Sequence, residues 1–198
     1  ELKQRMSMFK EACEIIHRMW SEDYPTFKGT HYQVDRPINE PKGVQKPHPP
    51  LWIGGGGERV TLKLVAKWGD ACNIGGEPAE IRHKLGVLRQ HCQEAERNYD
   101  EIVKSTSLNV YPIEPGADPE RATAAARGSM NYDDFASQVT VGDAAAIRDK
   151  IEPLLEAGID YLITYIPGVA YDHEPLHRFE TEVMPLVAQL SQAAGAGR

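Results

Sequence analysis

Four consecutive glycines, Gly54, Gly55, Gly56 and Gly57, form the stretch of this sequence that is best suited to bind a ligand. They follow the short apolar run 51–53 and precede the amphipathic segment 60–68, so they lie between a predicted buried strand and the start of a predicted helix. Glycine lets a ligand approach the backbone, and the first amides of a helix have no intrahelical acceptor. The pattern therefore predicts an anion site, typically for a phosphate.

A purely steric role is the alternative, because a turn from a strand into a helix commonly needs one or two glycines. Four in succession exceed that need. Neither standard nucleotide motif fits, since the register Gly54, Gly56, Arg59 lacks the last glycine of G-x-G-x-x-G and no Gly-Lys-Ser/Thr follows. Arg59 is a candidate for a charge-assisted hydrogen bond to the anion.

Composition and charge limit the classes of function. The chain has 198 residues, of which 41% are hydrophobic and 26% charged, which is enough for one sizeable core. Its net charge of −7, without a basic run, argues against nucleic acid or an anionic membrane as partner. No apolar run approaches the roughly 20 residues of a membrane span, and no basic leader opens the chain, so we expect a soluble, cytoplasmic protein.

Cysteine and histidine spacing does not indicate a metal site. Cys13, Cys72 and Cys92 are odd in number and far apart, so we expect small buried residues rather than disulfides or zinc ligands. His173 and His177 are spaced i, i+4, but no third ligand is apparent and a solvated helix face is the favoured interpretation. His48 precedes the glycine strand and either faces the pocket or positions the proline-rich segment.

Hydrophobic periodicity predicts alternating strands and helices. We expect an amphipathic helix over residues 1–20 and a long connection over 21–50 with a small hairpin and many prolines. Predicted strands cover 51–53, 71–74, 103–113 and 161–166. Predicted helices cover 60–68, 78–98, 118–127, 142–158 and 175–190, and a polar loop covers 128–140. Residues 191–198 are predicted to be a disordered tail, and Pro153 and Pro185 to kink or break their helices.

This alternation indicates an α/β fold with right-handed βαβ units and a parallel sheet. Four such units make half of an eight-stranded barrel, which takes about 250 residues, or a small open doubly wound sheet. The helix before the first strand favours the truncated barrel. Asn73 ends a strand on the catalytic face of such a barrel, which makes it a pocket candidate, and Ser107 and Asn109 are candidates to face the barrel interior.

Several segments resemble the luciferase-like monooxygenases, in particular their coenzyme F420-dependent oxidoreductase branch. The matching stretches are the opening helix with Met19-Trp20, FKGTHY at 27–32, NEPKGVQKPHPPLWIGGGG at 39–57, VAKWGDACN at 65–73, AGIDY at 157–161 and EVMP at 182–185. The proline-rich run into the glycines is the specific part of the resemblance. Gly43 departs from it, because the family usually has a second proline there.

The resemblance implies the C-terminal part, about strands 5–8, of a (β/α)8 TIM barrel over residues 1–190, with 21–50 as an insertion beside the barrel mouth. The glycine loop, with Arg59 and Asn73, would bind the phosphate-bearing tail of coenzyme F420 or, alternatively, FMN. No catalytic residue is assigned, because the family's residues near the reactive carbon lie on earlier strands, expected upstream of Glu1.

The favoured function is an oxidoreductase that transfers a hydride between coenzyme F420, or FMN, and a small organic substrate. Two alternatives are a non-catalytic half-barrel that binds a ligand or dimerises, and a sugar-phosphate barrel enzyme. We expect a homo-oligomer with no metal. We also expect the chain by itself to be inactive, because its outer strands would have unpaired edges that promote association.

Overall fold

Residues 1–196 are described by the computed structural model, in which the chain divides into two compact units. The first unit comprises residues 1–74 and 83–104, and the second comprises residues 75–82 and the chain from residue 105 onward. Parallel strands alternate with helices in both units. The predicted α/β class with parallel strand pairing is therefore confirmed.

The first unit contains a long helix, a hairpin, two parallel strands and the helix that joins them. In chain order the elements are α1 (Leu2–Ser21), β1 (Thr26–Lys28), β2 (Gln33–Asp35), β3 (Trp52–Gly54), α2 (Thr61–Trp68) and β4 (Ala71–Asn73). The hairpin strands pair antiparallel, as expected, and β3 runs parallel to β4. The predicted elements of this unit are thus present with small differences at their ends.

Helix α2 packs against both parallel strands and against α1. Leu62 and Val65 are fully buried, whereas Lys63 and Lys67 are exposed, as the 3.6-residue period requires. The three cysteines are buried and free, which confirms that they are small core residues.

The long connection is fastened to α1 at two places. The Glu11 carboxylate accepts hydrogen bonds from the amides of Thr30 (2.8 Å), His31 (2.9 Å) and Tyr32 (3.0 Å) in the hairpin turn. Lys42 donates from Nζ to the Met19 carbonyl (3.0 Å) and to another carbonyl at the C-terminal end of α1, where a cation is favourable. Residues 37–50 contain no helix or strand, as predicted.

Helix α3 (Pro78–Glu94) ends earlier than predicted. Asn98 was expected to stop it, but Glu96 already leaves the helical region with φ +53°. Asn98 instead caps the short 3-10 turn Tyr99–Glu101, because its side chain accepts a hydrogen bond from the Asp100 amide at 3.1 Å. An asparagine thus begins the next turn rather than ending the helix.

The second unit is built around a long strand, β5 (Val103–Pro112), which begins in the first unit. The elements that follow are α4 (Pro119–Ala122), α5 (Ala124–Arg127), α6 (Tyr132–Ala136), β6 (Thr140–Gly142), α7 (Ala144–Glu156) and β7 (Tyr161–Tyr165). Strand β5 pairs in parallel with β6 at one end and with β7 along Ser105 to Asn109. Strand β6 lies at the end of the predicted loop and was not expected.

The core of this unit is apolar and lies between β5 and the helices α6 and α7. Its buried members are Val110, Tyr111, Ile113, Phe135, Val139, Ile147, Ile151, Ile166 and Val183. Asp143 caps α7 by accepting a hydrogen bond from the Ala146 amide at 3.0 Å, as its position before an apolar run predicted.

The C-terminal helical segment changes its winding before Pro185. Helix α8 (Glu174–Arg178) is followed by a π-helical turn, Phe179–Val183, and by α9 (Met184–Ala196). The Met184 amide bonds to the Phe179 carbonyl, and the wider turn accommodates the following proline, which has no amide to donate. The change of winding thus lies just before Pro185, where a kink or a break was expected.

Helix α7 contains Pro153 and continues to Glu156, so the helix break that was one of the two outcomes expected at this proline does not occur. In the predicted helix 175–190, Leu176 is 45% exposed, whereas Val183 is fully buried. Helix α9 runs to Ala196, into the stretch predicted to be a disordered tail, and the end of that tail lies outside the described residues.

Candidate functional site

The glycine loop leaves β3 at the carboxyl end of the parallel strand pair. The Gly55 amide donates to the Asn73 carbonyl at 2.8 Å, which places the start of the loop beside the end of β4. Gly55 has φ +112°, a conformation that side-chain-bearing residues rarely adopt. The chain therefore turns sharply away from the strand pair at this residue.

The next amides of the loop are available to a ligand. Within the part of the chain that the structure describes, the amides of Gly56 and Gly57 have no hydrogen-bond acceptor. The Gly57 carbonyl accepts the Leu62 amide at 3.0 Å, which joins the loop to the first turn of α2. Two unpaired amides before a helix N-terminus form the arrangement that binds anions in proteins.

Two histidines of α3 hold the residue after the glycines. Nε2 of His91 donates to the Glu58 carbonyl at 2.8 Å, which requires a proton on that nitrogen because a carbonyl only accepts. Nε2 of His83 lies 3.1 Å from Oε1 of Glu58. His91 thus contacts the loop backbone, and His83 contacts the side chain of the same residue. Sequence reasoning missed these residues, because eight positions separate the histidines and neither adjoins the loop in sequence.

Lys84 is the cationic side chain nearest to the glycines. A Cβ atom built on Gly56 would lie 2.8 Å from its Cε and Nζ atoms, so the ammonium group is beside the loop backbone. Lys84 belongs to α3, 28 positions later in the sequence than Gly56. No local pattern signalled it. The structure therefore adds a positive charge to the predicted anion site.

Arg59 and Asn73 have different surroundings from those of Lys84. Arg59 is exposed and lines a pocket between α1 and α2, together with residues of both helices. Asn73 lies at the carboxyl end of β4, as predicted, and its carbonyl oxygen supports the loop by accepting the Gly55 amide. Gly54, at the end of β3, is exposed, and a Cβ atom added there would meet no atom within 4 Å.

His48 positions the proline-rich segment. Its Nδ1 donates to the Pro49 carbonyl at 2.9 Å, and its ring stacks on Trp20 at 5.8 Å between centroids. His17 packs edge-on to it, 5.1 Å away, and contacts Trp68. Burial and the adjacent His48 lower the pKa of His17. The contacts of His48 therefore support the interpretation that it positions the proline-rich segment.

The polar residues of the second unit form a separate group near the carboxyl end of β5. Arg178, with a side chain only 12% exposed, bonds to Glu182 (2.6 Å), Glu174 (3.1 Å) and Glu114 (3.2 Å). Its charge is therefore already balanced by carboxylates. Burial, with a smaller effect of Asp172, raises the pKa of nearby Tyr111.

The other sequence candidates of this unit are not brought into a reactive group. Val110 belongs to the helix-covered core and Leu108 packs against it, so Ser107 and Asn109 lie on the opposite face of β5. Asn109 uses its amide to donate to the Gln138 carbonyl at 3.1 Å. Among residues that the structure describes, no group of His, Cys, Asp or Glu side chains, the one at His173 included, could hold a metal ion.

These features define an α/β protein with a glycine loop, containing two unpaired amides, at the carboxyl end of a parallel strand pair. The chain belongs to the luciferase-like monooxygenase family, because the model of that family matches residues 1–158. The resemblance deduced from the sequence is confirmed.

Relatives with named activities include both F420- and FMN-dependent proteins. The F420-dependent glucose-6-phosphate dehydrogenase of Amycolatopsis mediterranei (strain U-32) is 22% identical over 219 residues, covering 96% of this chain and 64% of its own length. The FMNH(2)-dependent dimethylsulfone monooxygenase of Pseudomonas putida is 23% identical, with 97% and 61% covered. The chain thus spans less than two thirds of the length of these relatives.

Solved structures show the same fold. An F420-dependent secondary alcohol dehydrogenase, in complex with an F420-acetone adduct, superposes with a TM-score of 0.74 at 20% identity, covering 93% of this chain and 62% of that one. The monooxygenase RslO1 from Streptomyces bottropensis gives a TM-score of 0.76 at 17% identity, with the same coverage. In the described residues, no helix is both long and apolar enough to cross a bilayer.

Proposed function

We propose that the complete protein is an oxidoreductase that transfers a hydride between coenzyme F420 and a small organic substrate, with FMN as the alternative cofactor. The observation that carries this proposal is the pair of unpaired amides at Gly56 and Gly57, beside Lys84 and before the first turn of α2. Family membership and the cofactors named for the relatives support it.

The residues present fit a cofactor phosphate. Gly55 turns the backbone so that successive amides follow the end of β3, and no side chain of the loop covers Gly54. The amides of Gly56 and Gly57 would donate to phosphate oxygens, and Lys84 would offset their charge. Arg59 is a further contact to test. Asn73 would act by holding Gly55 rather than by contacting the phosphate.

The chemistry divides between the cofactor and the protein. A deazaflavin or flavin ring supplies the capacity to accept or donate a hydride when it is bound. The residues of this chain bind and orient the phosphate-bearing part, and His83 and His91 keep the loop in place through Glu58. No residue of this chain is proposed to be catalytic.

We further propose that residues 1–190 form strands five to eight of a (β/α)8 barrel, with 21–50 as the insertion beside its mouth. Coverage of about 62% of the compared structures supports this arrangement. Among the described residues, β3, β6 and β7 each have only one strand partner. In a closed barrel every strand has two, and the missing partners would come from the rest of the barrel.

Cofactor titration of the complete protein tests the proposal. We expect F420 to bind more tightly than FMN, and glucose 6-phosphate by itself not to displace either. Gly56→Asp adds a carboxylate to the proposed phosphate site and displaces the Lys84 side chain, whose Cε and Nζ would lie 2.8 Å from the added Cβ. Affinity should therefore fall about ten- to hundredfold, matching the roughly 1.5–3 kcal/mol of a charge-assisted hydrogen bond.

Gly86→Asp is the matched control, because Gly86 lies in α3 with no atom within 4 Å of a Cβ position. It adds the same charge to the same unit and should leave cofactor affinity unchanged. Thermal unfolding of both variants tests whether the proteins remain folded. Unchanged F420 and FMN affinity in folded Gly56→Asp protein would leave the glycines a steric role only.

A further inference from the structure

The pocket that Arg59 lines lies in the groove between α1 and α2, and its wall is strongly cationic. The pocket has a volume of about 310 Å³. It is lined by the cations Lys10, Arg59, Lys63 and Lys67, by Glu14, and by the apolar residues Val60, Leu64 and Trp68. We refer to it as the α1–α2 pocket. Its size falls at the lower end of the range of small-molecule sites.

The four cations of this pocket have no acidic partner. Within the described part of the chain, no carboxylate lies within 4 Å of the charged atoms of any of them. The single acidic residue of the wall, Glu14, is held by Arg18 at 2.6 Å. This arrangement is notable in a protein with 29 acidic residues and a net charge of −7. The pocket therefore offers positive charge that the protein itself does not neutralise.

The cations are arranged to bind more than one anionic group. Lys63 and Lys67 are one helical turn apart on the exposed face of α2, about 5–6 Å between their Cβ atoms. Lys10 approaches from α1. The N-cap residue of α2, Val60, provides no side-chain cap, so the partial positive charge of the helix N-terminus adds to the same field.

The apolar part of the wall favours a ligand that carries an apolar group in addition to its negative charge. Leu64 is a buried residue of the wall, and Trp68 is partly exposed, with Nζ of Lys67 4.6 Å and the His17 ring 4.8 Å from its ring centroid. A purely inorganic anion would leave this surface unused. An aromatic group could pack against it while linked phosphates contact the lysines.

We propose that the α1–α2 pocket binds an organic diphosphate that carries an aromatic group, of the class of a nucleoside diphosphate. This site is separate from the glycine loop and does not depend on the function proposed above. Arg59 and the N-terminus of α2 were considered for both sites, and the new site requires neither of them, because three lysines remain.

Calorimetric titration of the purified protein with three probes tests this assignment. ADP carries both the ring and the charge, pyrophosphate only the charge, and adenosine only the ring. We expect ADP to bind about tenfold or more tightly than pyrophosphate, and adenosine not to bind measurably. ADP affinity should also fall as salt concentration rises, because the lysines are exposed.

Paired lysine variants locate the site. Lys63→Gln with Lys67→Gln removes two charges from the pocket while keeping good helix formers, and should weaken ADP binding about tenfold or more. Lys3→Gln with Lys28→Gln removes two charges from exposed positions of the same unit that do not line the pocket, and should have no effect. Thermal unfolding confirms that both proteins are folded.

Four results would overturn the proposal. They are a lack of ADP binding, equal binding of ADP and pyrophosphate, unchanged ADP affinity in the folded Lys63 and Lys67 variant, and competition between ADP and F420. The last result would assign the nucleotide to the cofactor site instead.

Discussion

At the scale of single residues, the turn out of β3 depends on the backbone of Gly55. Its φ of +112° lies where L-residues are strained, whereas a Cβ there would meet only Thr61 Cγ2 at an ordinary 3.6 Å. We predict that Gly55→Ala lowers the free energy of unfolding by about 1–3 kcal/mol, a cost that is conformational rather than steric.

Gly54→Ala is the comparison for this prediction, because Gly54 has neither a positive φ nor a neighbour within 4 Å of a Cβ. It should change stability by less than about 0.5 kcal/mol. Chemical denaturation without cofactor measures both variants. Equal stability of the two proteins would contradict the strain at Gly55.

Glu11 makes stability dependent on pH. Burial acts to raise the pKa of its carboxyl group, but the amides of His31, Thr30 and Tyr32 together lower it below the usual value. The folded pKa is therefore below the unfolded one, so the ionised group stabilises the fold above the unfolded value of about 4.3. That contribution is lost as pH falls through the folded pKa.

We predict that Glu11→Gln is less stable than the wild-type protein at neutral pH, and that the difference shrinks as pH falls below about 4. Denaturant unfolding of both proteins across this range measures the effect. A stability difference that stays constant with pH would show that the hydrogen bonds to the hairpin turn do not need the charge.

At the scale of elements, helix α3 contains a glycine at a position where a side chain would fit. Gly86 is exposed within the helix, and a Cβ there would meet no atom within 4 Å. We predict that Gly86→Ala stabilises the protein by about 0.5–1 kcal/mol, because alanine loses less backbone entropy on folding. In a chain of this size that corresponds to a rise in Tm of about 1–4 °C.

The same substitution at another glycine of the first unit provides the contrast. Gly69 follows α2, and a Cβ there would lie 3.0 Å from backbone atoms of Val65. Gly69→Ala should therefore lower Tm where Gly86→Ala raises it. A loss of stability in Gly86→Ala would indicate a contact of α3 that the structure does not show.

At the scale of the whole molecule, one face of β7 is open to solvent. Tyr161 is 50% exposed and Tyr165 is 58% exposed, and the strand pairs only with β5 among the described residues. An exposed strand edge beside aromatic side chains favours association. We predict that the 198-residue chain self-associates as its concentration rises, and that Tyr161→Lys with Tyr165→Lys weakens this about tenfold.

Sedimentation at several concentrations measures the association. Tyr171→Lys is the control, because Tyr171 is 97% exposed in the loop after β7 and adds the same kind of charge away from the strand. It should leave the association unchanged. Monodisperse monomer of the unsubstituted chain at high concentration would contradict the prediction.

Several elements could be predicted because their signals are local. The apolar residues of α2 recur with a helical period, Asp143 caps α7, and Gly158 follows that helix with φ +108°. The glycine loop was recognised in the same way, from a strand, a run of glycines and a helix that adjoin in sequence. Local geometry depends on nearby residues, so the sequence by itself determined these elements and the family.

The surroundings of the loop were decided by tertiary packing. Lys84 lies beside Gly56, and His83 and His91 hold Glu58, only because α3 packs next to a loop far earlier in the chain. Arg59, adjacent to the glycines in sequence, lines the α1–α2 pocket with Lys10. Side chains meet across elements through burial of apolar faces that many residues share, and no short stretch of sequence encodes which polar groups that burial brings together.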